Sequence, residues 1–130
     1  MTLLNQGNAA MDEKRAFWLA AAEQYIEDCR RTATSVRVSE FASRMDRTAV
    51  QLAREFQSAV GIGVKDHFSI QQIDFAKELL RSTGHSTARI AIHSGFGTPR
   101  TFYRAFKRSA GVSPTAFRKE MSLGGTEFGP

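Results

Sequence analysis

Cations that repeat along one face of a predicted helix are the side chains best suited to chemistry in this 130-residue chain. Arg100, Arg104 and the pair Lys107/Arg108 follow at i, i+4 and i+7/i+8, opposite two phenylalanines. Arginine forms bidentate hydrogen bonds with guanine O6 and N7, and both arginine and lysine neutralise phosphates. The spacing predicts a nucleic-acid contact with Arg100 and Arg104 at base edges and Lys107 and Arg108 at phosphates. The alternative interpretation is a solvated helix face.

The distribution of charge agrees with a polyanionic ligand. Residues 1–83 carry eleven Lys and Arg against eleven Asp and Glu, so their net charge is zero. Residues 84–130 carry seven Lys and Arg against Glu120 and Glu127, which places the whole net charge of +5 there. A localised basic excess is typical of proteins that bind nucleic acid or an anionic membrane surface.

The sequence lacks the sets of residues that metal binding, disulfide formation or catalysis would need. His67, His85 and His93 have no metal-ligand spacing, and Cys29 is the only cysteine, which excludes an internal disulfide and a cysteine-based zinc cluster. We interpret Cys29 as a buried, inert thiol. No paired carboxylates, Ser/His/Asp set or glycine-rich phosphate loop is evident in the sequence. We therefore predict a protein without enzymatic activity, metal or cofactor.

The composition favours a water-soluble protein. No apolar run approaches the roughly 20 residues that span a bilayer. Residues 1–15 carry acidic and polar groups where a secretory signal has a basic start and an apolar stretch. The sequence therefore predicts a cytoplasmic protein without a membrane partner.

The elements that must position these cations are predicted to be helices, because apolar residues recur at helical spacing between capping residues and glycines. The first stretch, from Asp12 to Arg31, is rich in alanine and glutamate, and Phe17 and Trp18 are expected to anchor it. Further helices are predicted at about 38–45, 49–60, 70–82, 87–94, 99–109 and 114–120.

Two of these segments repeat each other. TAVQLAREFQSAVGI, from Thr48, aligns with TPRTFYRAFKRSAGV, from Thr98, at an offset of fifty residues. Each copy follows a short helix and a turn, and a short helix, a tight turn and a second helix form a helix-turn-helix. The second helix of each unit can enter a major groove, and successive grooves lie about 34 Å apart. A monomer would then read an asymmetric site of about twenty base pairs in two successive major grooves.

The predicted fold is therefore all-α, with two tandem helix-turn-helix subdomains joined by a linker helix and about seven helices. The predicted divisions are a disordered N-terminus at 1–11, a first subdomain at 12–68, a linker helix at 69–83, a second subdomain at 84–121 and a flexible tail at 122–130.

At this level of detail the chain resembles the AraC/XylS family of transcription regulators. The string IAIHSGFGTPRTFYRAFKRSAGVSPTAFRK is similar to the C-terminal signature of that family, and the resemblance extends more weakly over roughly residues 36–120. It implies a seven-helix domain with two helix-turn-helix units. The matching positions are Ile90, Ala91, Gly95, Phe96, Pro99, Phe102, Arg104, Phe106, Lys107, Gly111, Pro114, Phe117 and Arg118.

The chain also departs from the family pattern. The first turn has Asp46-Arg47 where the family usually has a glycine and an apolar residue, and Gln72 stands where an arginine is common. Val50 and Ala53 occupy positions that in the family point to DNA, yet they carry no hydrogen-bonding groups. We therefore expect the first unit to position the protein or to bind bases weakly.

Twelve residues are the predicted DNA contacts. In the first unit, base contacts would rest on Gln51, Arg54 and a thymine methyl against Val50, while hydroxyls at helix starts would hold phosphates or act purely as caps. For Arg54 and Arg104 the alternative is an orienting role within the protein. The full set is Arg47, Thr48, Val50, Gln51, Arg54, Thr98, Arg100, Thr101, Tyr103, Arg104, Lys107 and Arg108.

Two functions follow from these features. The first is a sequence-specific transcription regulator that binds duplex DNA and, as the resemblance suggests, contacts RNA polymerase. About 35 residues precede the first unit, so no small-molecule effector domain is evident, and a fragment of a longer regulator is equally compatible with the sequence. The alternative is a helical interaction module, an adaptor or antagonist, that has lost specific DNA reading; Val50 and Ala53 favour it.

Overall fold

Seven α-helices make up the part of the chain that the computed structural model describes, which is the backbone of residues 2–128 and the side chains of residues 9–122. No strand occurs in this part, and the predicted all-α fold with two helix-turn-helix units is confirmed. The helices are α1 (Thr2–Thr32), α2 (Val38–Arg44), α3 (Ala49–Val60), α4 (Val64–Ser82), α5 (Thr87–His93), α6 (Pro99–Ala110) and α7 (Pro114–Phe128).

Three helices are longer than the sequence predicted. α1 begins at Thr2 and α7 continues to Phe128, so residues 2–11 and 122–128 are helical where a disordered N-terminus and a flexible tail were predicted. These segments contain no proline, and extending an existing helix adds one hydrogen bond for each residue fixed. α4 begins at Val64, ahead of the predicted linker. Met1, Gly129 and Pro130 lie outside the described residues.

The chain divides into two units, each with its own core. Unit 1 comprises residues 1–29 and 36–68, and unit 2 comprises residues 30–35 and 69–130. The boundary falls inside α4, so the whole of the predicted linker, residues 69–83, belongs to unit 2. The apolar face of this segment completes the core of that unit.

In unit 1, α1 packs one apolar stripe against α2 and α3. Trp18 is 6% exposed and its ring meets those of Phe41 and Phe56 edge to face. Phe17, predicted to share the anchoring role, is 58% exposed, because the buried stripe runs one residue later along the helix. The Tyr25 hydroxyl accepts a hydrogen bond from the Arg37 N–H (2.9 Å) and donates to Glu40 (2.8 Å), and burial raises the pKa of Tyr25.

In unit 2, α4 supplies one wall of the core and α6 the other. Phe102 and Phe106 of α6 are buried against Ile73 and Leu80 of α4, with Ile90 of α5 completing the cluster. The guanidinium of Arg118 on α7 donates to the carbonyl oxygens of Leu80 (3.2 Å) and Thr83 (3.0 Å), which satisfies acceptors left open at the end of α4. These contacts hold α6 by its apolar face and leave the opposite face outward.

Candidate nucleic-acid interface

The two helix-turn-helix units, α2–α3 and α5–α6, share one backbone pattern at their turns. The Arg47 N–H donates to the Ala42 carbonyl at 2.8 Å, and the Phe96 N–H donates to the Ala91 carbonyl at 3.0 Å. Asp46 adopts a left-handed conformation (φ 58°) in the first turn, as Gly95 does in the second (φ 82°).

The second turn is one residue longer than the first. Equivalent turn residues such as Asp46 and Gly95 are forty-nine positions apart, whereas the helix starts Thr48 and Thr98 are fifty apart. The additional residue is Gly97, whose φ of 81° lies in the left-handed region. A Cβ at Gly97 would lie 2.7 Å from the Ser35 hydroxyl, so glycine is required there both by conformation and by space.

Threonine caps begin both second helices. Thr48 and Gln51 form a reciprocal capping box: the Thr48 hydroxyl accepts from the Gln51 backbone N–H (3.1 Å), and the Gln51 side-chain oxygen Oε1 accepts from the Thr48 backbone N–H (3.0 Å). Thr98 accepts from the Thr101 N–H (3.1 Å), and the two hydroxyls bond each other at 2.9 Å. The predicted caps are confirmed, and they engage the side chains of all three threonines and of Gln51 within the protein.

α6 presents an exposed cationic face. Arg100, Arg104, Lys107 and Arg108 are exposed, and Tyr103 beside them is 48% exposed. None of these five side chains forms a hydrogen bond or an ion pair with the described part of the chain. Among the described residues Arg104 therefore has no polar partner, and this face is open to a ligand.

α3 presents a different face. The Arg47 guanidinium pairs with the Glu55 carboxylate, with Nε 2.9 and 3.2 Å from its two oxygens. Because Gln51 is held by the capping box, Val50, which is 67% exposed, and Arg54 are the predicted α3 contacts that project without a polar partner among the described residues. All five predicted contacts of unit 1 are exposed, but three of them have intramolecular hydrogen bonds.

Gln72 has a role that sequence reasoning missed. Its side-chain amide is buried and donates to the carbonyl oxygens of Ser94 (3.1 Å) and Gly95 (2.9 Å), the residues that join α5 to α6. The departure from the family's arginine was visible in the sequence, but the bond from α4 to the turn depends on tertiary placement. Gln72 therefore helps to set the start of α6.

The histidines show no metal site. Within residues 9–122 no group of three or more His, Cys, Asp and Glu side chains is arranged to hold a metal ion. His67 packs on Phe56 with ring centroids 5.4 Å apart, and burial lowers its pKa. No helix among the described residues has the length and apolar character that a membrane span needs.

Comparisons with known proteins were made on sequence and on fold. A family model described as a helix-turn-helix domain matches residues 41–120. An AraC-like transcription regulator of Streptomyces lividans is 30% identical over 91 residues, which is 70% of this chain and 30% of that protein. The chain spans about a third of the length of the curated relatives it matches.

Solved structures share the fold. The C-terminal domain of AraT, a response regulator from Geobacillus stearothermophilus, superposes with a TM-score of 0.66 at 25% identity, covering 77% of this chain and 84% of that one. The DNA-binding domain of AdpA, crystallised with a target DNA, superposes with a TM-score of 0.65 at 23% identity, covering 76% and 90%. With the family model matching more than half of the chain and the repeated turn geometry described above, this chain belongs to the AraC-type family of helix-turn-helix domains.

Proposed function

We propose that the chain is a transcription regulator that binds duplex DNA sequence-specifically, with α6 as its principal reading helix. The observation that carries this proposal is the exposed, unpartnered cationic face of α6, opposite the buried Phe102 and Phe106. Arg100 and Arg104 lie toward the start of the helix, the part that reaches base edges in helix-turn-helix complexes. Lys107 and Arg108, further along, are placed for phosphates.

Unit 1 has a lesser part in this proposal. Val50 offers an apolar surface that suits a thymine methyl, and Arg54 is available for a base or a phosphate. Arg47 and Gln51 must break intramolecular hydrogen bonds before they contact DNA, and this lowers the binding free energy that each contact contributes. We therefore propose two successive major grooves as the site, one read closely by unit 2 and one weakly by unit 1.

The relatives' names as transcription regulators agree with this proposal. Contact with RNA polymerase, a cytoplasmic location and the absence of enzymatic activity belong to the same proposal. The predicted hydroxyl contacts of Thr48, Thr98 and Thr101 with phosphates remain part of it, because a capping hydroxyl keeps a free lone pair.

The experiment that tests the proposal is a salt titration of binding to a fluorescent duplex. If several phosphates are neutralised, log K falls linearly with log salt, with a slope of about −0.9 per phosphate. A double variant, Arg104→Gln with Lys107→Gln, should lose most of the affinity, whereas Arg81→Gln and Lys65→Gln, exposed cations of α4, serve as the charge-matched control. Absence of duplex binding at low salt would contradict the proposal and favour the adaptor, for which the apolar Val50 is the supporting observation.

A further inference from the structure

A cleft of about 480 Å³ lies in unit 1, and of its lining residues only Arg47 and Arg54 belong to the proposed DNA contacts. Residues of α1, the α2–α3 turn and α3 line it. Its apolar side includes Trp18 and Ala59, with Phe17 (58% exposed) and Met11 (66% exposed) at its edge. The rings of Phe17 and Trp18 meet edge to face with centroids 5.4 Å apart. A large aromatic side chain this exposed leaves apolar surface that a ligand would remove from water.

The polar side of the cleft is cationic. Lys14, Arg47, Arg54 and Glu55 line it. Glu55 is the one carboxylate among the lining residues, and its ion pair with Arg47 at 2.9 Å offsets its charge. Lys14 and Arg54 form no ion pair within the part of the chain that the structure describes, so two cations remain available. This charge suits an anionic group, and a guanidinium can bind a carboxylate with two parallel hydrogen bonds.

We infer that this cleft binds a small amphiphilic carboxylate, with its apolar body against Phe17 and Trp18 and its carboxylate at Arg54 and Lys14. The volume lies in the range of roughly 300–1,000 Å³ that is usual for small-molecule sites. Nine residues line the cleft, fewer than the roughly 20–30 residues that a protein partner usually contacts on one side. An apolar side and a cationic side in one cleft match both ends of such a ligand.

The ligand would also act on DNA binding, and this consequence rests on the proposed function. Arg54 lines the cleft and is one of the two predicted α3 contacts, with Val50, whose side chains have no polar partner among the described residues. A carboxylate bound to Arg54 therefore withdraws it from DNA. The carboxylate and the unit 1 half of the DNA site compete for the same guanidinium.

Trp18 is the only tryptophan, so its fluorescence in the full chain reports occupancy of the cleft without DNA. The probe is 4-phenylbutyrate, and its neutral amide, 4-phenylbutanamide, is the matched control. We expect a saturable change with both probes and an affinity about tenfold higher for the acid, equivalent to about 1.4 kcal/mol. Arg54→Gln should reduce the preference for the acid, because only Lys14 then remains for the carboxylate. Phe17→Ala should weaken both probes, and Arg89→Gln, an exposed arginine of α5, should change neither.

Three results would overturn the inference: no saturable Trp18 signal, equal affinity for acid and amide, or an unchanged preference in a folded Arg54→Gln variant. A short poly-glutamate peptide that saturates the signal more tightly than the acid would also overturn it, in favour of an acidic protein segment. If the probe binds but leaves duplex affinity unchanged, the proposed competition with DNA is refuted, and the proposed ligand site in the cleft is retained. If the chain binds no duplex, the proposed function fails, and the Trp18 titration still decides the cleft.

Discussion

Arg104 and Lys107 are both exposed and lie one turn apart on α6, yet we expect Arg104 to contact a base edge and Lys107 to contact a phosphate. Arg104→Ala should relax the preference at one base pair by about 1–3 kcal/mol, because a bidentate contact with a guanine is lost. Lys107→Ala should weaken all duplexes alike and reduce the salt slope by about 1. Competition with duplexes that differ by single base pairs measures both effects. An unchanged base preference in Arg104→Ala would move this residue from base reading to the phosphate backbone.

Glu55 restrains a potential DNA contact. Its carboxylate holds Arg47 beside α3 and also adds a negative charge near the DNA-facing side. Glu55→Gln should strengthen duplex binding several-fold and steepen its salt dependence by about one phosphate. Stability should change little, since an exposed ion pair contributes at most about 1 kcal/mol. Glu78→Gln, which removes the exposed partner of Arg81 on α4, is the matched control. Equal gains in both variants would mean that net charge alone, and not release of Arg47, is responsible.

His67 should make the stability of unit 1 depend on pH. Burial against Phe56 lowers the pKa of the folded-state imidazole below its ordinary value of about 6.5. Near and below pH 6.5 the unfolded chain therefore binds more protons than the folded chain. The contribution of neutral His67 to the free energy of unfolding is fully present above about pH 6.5 and is lost as the pH falls below that value. The midpoint of thermal unfolding should drop between pH 7.5 and 5.5, and His67→Phe should flatten this part of the profile. If the unfolding midpoint of His67→Phe drops as steeply with pH as that of the unchanged chain, the pH dependence arises from other titrating groups.

At the scale of elements, the turn between α5 and α6 tolerates little change. Gly97→Ala combines a left-handed backbone, which costs a residue with a Cβ about 1–2 kcal/mol, with a contact of 2.7 Å to the Ser35 hydroxyl. We expect the free energy of unfolding to fall by about 2 kcal/mol in denaturant titrations. In a Ser35→Ala background the loss should shrink to about 1 kcal/mol, because only the backbone cost remains. Gly84→Ala has open space and no left-handed backbone, so it should be near neutral; a comparable loss there would contradict this explanation.

Local signals predicted the elements well, because caps and periodicity act within a few residues. Thr48 and Thr98 marked the starts of α3 and α6 correctly, since each threonine bonds an N–H three residues on. The predicted turn at Asp46-Arg47 is also confirmed, and Asp46 adopts a left-handed conformation there.

The rest depends on tertiary placement, which spacing does not encode. Phe17 and Trp18 are adjacent, and only packing against α2 and α3 decides which one is buried. The Arg47–Glu55 pair and the bonds from Gln72 to the second turn join residues eight and more than twenty positions apart. The candidate contacts were all found on exposed positions, but their intramolecular partners were visible only in the structure.

At the scale of the whole molecule, the net charge and the open contact residues lie in the same part of the chain. Residues 84–130 carry the entire excess of +5, and α6 within them carries the four cations without polar partners among the described residues. Unit 1, which comprises residues 1–29 and 36–68, carries seven Lys and Arg against nine Asp and Glu, a net charge of −2, and has an ion pair in its turn. Electrostatic attraction to any duplex should therefore come mostly from unit 2, and unit 1 should add selectivity more than affinity.

This asymmetry predicts the form of the target site. Selection from a random duplex library at near-physiological salt should enrich an asymmetric site with two blocks about one helical turn apart, one of them rich in guanine and strongly specified. The other should be weak and prefer thymine, because Val50 offers a methyl surface and no hydrogen bond. Val50→Ser should erase the thymine preference and leave the strong block intact. Enrichment of one block alone would mean that unit 1 touches only the DNA backbone, and no enrichment would contradict sequence-specific binding by this chain.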